Sequence, residues 1–240
     1  HPLKRFIKLL LVRQGMPYTP TLEEVAGNVK SVYVDTSVLV EHRMHDQGHV
    51  MPERIVDLHL SFVEKLEKMV AAQQNILSVP EIIAEYNKLV SLAVQKLLQR
   101  QEKGIHNKAQ LLAVKHFRIS ESLLDRGEYG EREEALRDFF VDQGLHLPRT
   151  SLFVKKNAQR KTSRGDASLA SAAILDAGSD GEPVAIVTGD NDLVNLVVNF
   201  ARLYEQGLFP QILVQKRPRV NVYFPAPREW RERLVLEYMI

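Results

Sequence analysis

The apolar positions of this chain alternate between two periodicities, and the alternation sets out a fold. "SVYV" (31–34), "NIL" (75–77), "PVAIV" (183–187), "PQILVQ" (210–215) and "VNVYF" (220–224) are short apolar runs bounded by turn residues, which predicts buried strands. Between them, apolar residues recur at i, i+3 and i+4. Ile55, Leu58, Phe62, Leu66 and Met69 predict a helix over 53–73, and Ile82, Tyr86, Leu89, Ala93 and Leu97 a second over 81–100. Two further helical patterns occupy 107–142, separated by "DRGEYG", and "GDASLASAAILDAG" starts a helix of small residues that can pack closely. "DNDLVNLV" resumes helical spacing, and "PREWRERLVLEYMI" predicts a closing helix. Residues 3–13 and 21–27 read as two short helices separated by the breaker "GMPYTP". Strands alternating with helices define an α/β fold with a mainly parallel central sheet flanked by helices. The expected organisation is an N-terminal helical appendage over 1–30 and one domain over 31–240, with a helical insertion at about 100–160.

Composition narrows the chemistry. The 240 residues include no cysteine, which excludes disulfides, thiolate metal sites and a cysteine nucleophile and fits a reducing cytoplasm. No apolar run approaches the roughly 18 residues of a membrane span. "HPLKRFIKLLLVRQGM" is interrupted by Lys8 and followed by no small-residue cleavage site, so no signal peptide is expected. A start on His rather than Met leaves room for residues upstream. The net charge of +2 is too small to imply a nucleic-acid partner, but its distribution is uneven. Arg149, Lys155, Lys156, Arg160, Lys161 and Arg164 form a basic run without an acid, and a second basic cluster follows from Lys216 to Arg233.

Acids stand where strands end. Asp35 follows the first strand, Asp190 and Asp192 follow "VAIVT", Asp166 opens the small-residue helix, and Glu85 lies one turn inside the helix after "NIL". Taken alone, each Asp reads as a helix N-cap worth about 1 kcal/mol, and Glu85 as an exposed helix carboxylate. Glu81, on the same face four residues earlier, competes with Glu85 or merely complements the helix dipole.

Four segments in order change that reading. "VYVDTSVLV", "SVPEIIAEY", "RGDASLASAAI" and "IVTGDNDL" resemble the four motifs of the PIN-domain ribonucleases across residues 31–215. The resemblance implies a PIN-like fold and metal-dependent endonuclease activity on single-stranded RNA. It implies Asp35, Asp166 and Asp190 as ligands of Mg²⁺ or Mn²⁺, Asp192 as an outer ligand and Glu85 as holder of metal or attacking water. Read from the residues themselves, Thr36, Ser37 and Thr188 either orient ligands or water as supporting hydroxyls or serve as caps. Carboxylates alone suffice for these hard cations, which prefer oxygen and keep several waters. Clustered carboxylates repel one another unless a cation compensates. The basic run ending at Arg164 would place Lys155, Lys156, Arg160 and Lys161 beside the site to engage phosphates. Family members include toxins restrained by an antitoxin and RNA-processing enzymes, and they frequently pair as homodimers.

The sequence departs from the family in the long interval between Glu85 and Asp166 and in Asn191, where a basic residue is common. "GDNDL" also resembles the acidic loop of haloacid-dehalogenase-like phosphatases, but their second acid after the first strand is here Ser37. A nuclease-shaped module that binds RNA or protein without catalysis is the other alternative. His42, His45 and His49 with Asp46 have helical spacing and read as a polar helix face or, less simply, a transition-metal site.

Overall fold

The structure is a computed structural model that describes residues 21–40, 53–100, 103–123, 130–143, 163–209, 214–225 and 234–239. The expected helix over 3–13, the histidines 42, 45 and 49, the basic residues 149–161 and residues 210–213 of the strand expected over 210–215 lie outside the described residues, and Val214 and Gln215 at that strand's end are not in a strand.

The chain runs α1 (Leu22–Asn28), β1 (Ser31–Val34), α2 (Thr36–Leu39), α3 (Glu53–Ala72), β2 (Ile76–Leu77) and α4 (Pro80–Leu98). It continues through α5 (Lys103–Leu123), α6 (Glu131–Gln143), α7 (Arg164–Asp180), β3 (Pro183–Val187), α8 (Asn191–Glu205), β4 (Arg219–Pro225) and β5 (Leu234–Met239). The strands form one sheet in the order β2-β1-β3-β4-β5. The first four are parallel, and β5 adds to the edge of β4 antiparallel.

Both faces of this sheet are covered, which is why its strands read as continuous apolar runs. Successive side chains point to opposite faces. Val32, Val34, Ile76, Ala185, Val187 and Tyr223 join one core with α1 to α5; Tyr33, Leu77, Val184, Ile186, Val220 and Val222 join the other with α6, α7 and α8. Helix α7 is buried over most of its length, Ala167 through Gly178, as a helix apolar and small all round should be. The 100–160 stretch supplies α5, which packs between α3 and α4, and α6, which packs on α7.

Of the closing helix expected over 227–240, the described part is instead the strand β5 at Leu234–Met239; residues 227–233 lie outside the described residues. Six consecutive residues do not separate a helical from a strand period, and the otherwise unpaired edge of β4 supplies the hydrogen bonds that decide the outcome.

The topology fixes where ligands would meet the sheet. After β1 the chain crosses through α3 to β2 on one side; after β3 it crosses through α8 to β4 on the other. Those helices lie on opposite faces. The carboxyl ends of β1 and β3 therefore bound the switch point of the sheet, the position at which open α/β folds bind ligands.

Candidate functional site at the carboxyl ends of β1 and β3

The parallel register pairs Val34 with Val187, so Asp35 and Thr188 emerge side by side. Asp35 is 5% exposed and each of its oxygens is engaged. Oδ1 accepts the Thr36 N–H at 2.7 Å, capping the short helix α2. Oδ2 accepts two hydroxyls, Ser37 Oγ at 2.5 Å and Thr188 Oγ1 at 2.9 Å. Those hydroxyls in turn accept backbone N–H groups of the β3–α8 turn, Gly189 onto Ser37 at 2.7 Å and Asp190 onto Thr188 at 2.9 Å. Asp190 is half-buried and caps α8, its Oδ1 accepting the Asp192 N–H at 2.7 Å. Asp192 is exposed.

Two further helices aim at this crevice. Helix α4 opens with Pro80 in its first turn, which its fixed φ favours. It places the exposed Glu85 where Oε2 accepts the Thr36 hydroxyl at 3.3 Å. Glu81 turns elsewhere and pairs with Arg137 of α6 at 3.5 Å. Helix α7 is capped by Ser163, whose Oγ accepts the Asp166 N–H at 2.9 Å. Asp166 thus stands in the first turn rather than at the cap itself. Gly165 lets this turn approach α4 closely, because a Cβ there would lie 3.1 Å from Ile82 Cδ1.

Electrostatics ties the acids into one group. Burial, with the charges of Asp35, Asp190 and Asp192 added to it, pushes the Asp166 carboxyl up to about 7 against the lowering effect of the Ser163 hydrogen bond. Burial raises Asp35 as well; the Ser37 and Thr188 hydroxyls oppose the rise, and Asp190 adds to it. Among the described residues, none of Asp35, Glu85, Asp166, Asp190 and Asp192 has an ion-pair partner. Carboxylates placed in this way repel one another unless a proton or a cation neutralises them. All donors are oxygens, which fits Mg²⁺ or Mn²⁺. Among the described residues no three His, Cys, Asp or Glu side chains converge into a ready-made cage. Mg²⁺ tolerates that, since it commonly takes one or two carboxylates and completes its shell with water and substrate.

The proposed phosphate-binding residues divide. Arg164 is the exposed first residue of α7, two positions before Asp166, whereas Lys155, Lys156, Arg160 and Lys161 lie outside the described residues. Two contributors are absent from the sequence reading. The cap Ser163 had a signal, a hydroxyl residue three positions before an acid at a helix start. The Gly189 N–H had none, because a backbone donor leaves no side-chain pattern.

No protein-family model matches this chain, and comparison with curated proteins and with solved structures likewise finds no match. Among the described residues no helix is long and apolar enough to cross a membrane.

Proposed function

We propose that this chain is a PIN-like, metal-dependent endoribonuclease that hydrolyses phosphodiester bonds of single-stranded RNA with Mg²⁺ or Mn²⁺. The observation that carries the reading is the gathering of Asp35, Asp166 and Asp190 at the switch point of the sheet, uncompensated by any described cationic side chain. Bound metal would supply charge neutralisation at the phosphodiester and a lowered pKa for the attacking water.

The chain's own residues divide the remaining work. Asp35 and Asp190, on adjacent strand ends, would hold the cation, with Asp166 closing the cluster and Asp192 reaching it from outside. Glu85, solvent-exposed and oriented by the Thr36 hydroxyl, would position the attacking water. Arg164, at the exposed start of α7, and the basic residues before it would engage the RNA backbone. The phosphatase alternative wants an acid at position 37; Ser37 is there instead, and its hydroxyl is committed to Asp35.

The test is incubation of the purified chain with end-labelled single-stranded RNA in Mg²⁺, Mn²⁺ or chelator. Asp35→Asn and Asp190→Asn should each lower cleavage by at least about a hundredfold while retaining the fold by circular dichroism. Metal-independent cleavage, or cleavage undiminished in both variants, would sink the assignment. Turnover of p-nitrophenyl phosphate without RNA cleavage would favour the phosphatase. Inactivity on every substrate would point to a binding module.

A further inference from the structure

Asp35 does not sit in its crevice by burial alone. A carboxylate oxygen offers two lone pairs. On Oδ2 both are taken, by Ser37 and Thr188; on Oδ1 the Thr36 N–H takes one and leaves the other. Ser37 is the shorter of the two hydroxyl contacts, 2.5 Å against 2.9 Å, and it also accepts the Gly189 N–H at 2.7 Å. One hydroxyl therefore joins the β1–α2 turn directly to the β3–α8 turn while donating to the acid. Gly189 is fitted to this contact, since a Cβ there would lie 3.2 Å from Ser37 Oγ and 3.3 Å from Ser37 Cβ. Its φ is not in the left-handed region, so its lack of a side chain serves this close approach rather than backbone strain.

We propose that Ser37 is a positioning residue: with Gly189 it withdraws Oδ2 of Asp35 from the crevice and presents Oδ1 as the single oxygen open to a divalent cation. The inference rests on the metal-dependent reading above. Ser37 is the informative member of the hydroxyl pair because it is half-buried, so truncation removes the bridge without opening a core cavity, whereas Thr188 is fully buried. Outer hydroxyls that orient a metal-binding carboxylate typically govern affinity by tenfold or more.

Mn²⁺ titration of the full chain, followed by loss of the free-ion paramagnetic resonance signal, reads this out without any turnover. Ser37→Ala should weaken Mn²⁺ binding about tenfold, and Ser37→Thr, which keeps the hydroxyl, should recover most of it. Gly189→Ala should also weaken binding, because its Cβ displaces the Ser37 hydroxyl. The same change in a Ser37→Ala background should cost little more, since the contact it disturbs is already gone. Thermal melts of each variant establish that it is folded. Wild-type binding with Ser37→Ala within twofold of it, or additive losses in the double variant, would overturn the positioning role and leave the nuclease reading intact. A wild-type chain that binds no Mn²⁺ would overturn both.

Discussion

At the scale of single residues, the carboxyl of Asp166 carries the cost of the site. It is 9% exposed, faces three other aspartates and is raised to about 7, so in the folded chain it holds a proton that the unfolded chain has released by about pH 4. A folded pKa above the unfolded one gives stability that is present at low pH and lost as pH rises through the interval between them. Metal-free protein should therefore lose stability between about pH 4 and pH 7 through this group. Asp166→Asn should be more stable than wild type by roughly 2 to 4 kcal/mol at pH 8, and the advantage should shrink towards pH 4. Urea unfolding of both proteins in chelator at several pH values measures it; a variant less stable than wild type at pH 8 would contradict the electrostatic account. The acids themselves were legible in the sequence, because strand ends and helix starts are marked by pattern. Their environment was not: that Asp35 and Asp190 share one crevice depends on β1 pairing with β3 across some 150 residues, and Asp166 joins them through the packing of α7 on that sheet.

At the scale of elements, the helical layer of α3, α5 and α4 is pinned by a polar group that periodicity gives no reason to expect. The buried stripe of α3 includes Val56, His59, Val63, Leu66 and Val70, while Phe62 and Met69, expected on the core face, lie only partly buried at its flank. His59 occupies a core position of that stripe and His116 one of α5. Their Nε2 atoms are 3.2 Å apart with the rings stacked, and Tyr86 of α4 hydrogen-bonds His116 Nδ1. If the tyrosine hydroxyl donates, His116 carries its proton on Nε2 and passes it towards His59, so three helices share one directional chain. Burial, aided by His59, lowers His116 to about 3. Here the folded pKa lies below the unfolded value, so the stability is complete above about pH 6.5 and falls as pH drops towards 3. The contribution has the opposite sign to that of Asp166. His116→Gln should flatten the acid limb of the stability curve by up to about 1.4 kcal/mol per pH unit relative to wild type. Unchanged acid slopes in urea unfolding between pH 6.5 and pH 4 would remove His116 from the account. Lys115, beside His116 in sequence, is engaged in ion pairs with Glu64 and Glu67 of α3. A histidine reads as polar in any hydrophobic pattern, and nothing local links residues 59 and 116; their meeting is a tertiary event.

At the scale of the whole molecule, the site is where otherwise separate parts of the fold converge. The turns after β1 and β3 and the opening turns of α4 and α7 all contribute a side chain, and the repulsion among Asp35, Asp166, Asp190 and Asp192 acts against bringing α7 and the two strand ends together. The order of elements was largely readable from alternating periodicities, and the one reversal, β5 for a helix, occurred at an edge where the partner strand rather than the local sequence decides. What periodicity does not encode is this coupling between charge and global stability. A divalent cation that binds the folded chain alone should relieve the repulsion and stabilise by mass action, by about 2.7 kcal/mol at a hundred times its Kd. For a chain of this size that corresponds to a Tm rise of roughly 5 to 10 °C. Asp35→Asn should behave in two ways at once: its metal-free Tm should not fall below that of wild type, because a buried negative charge has gone, and its Tm should no longer respond to Mn²⁺. Scanning calorimetry of both proteins with chelator and with saturating Mn²⁺ separates the components. A wild-type Tm indifferent to Mn²⁺ would mean that the acids are held together for some purpose other than metal. A response that survives in Asp35→Asn would mean that the cation binds elsewhere on the chain.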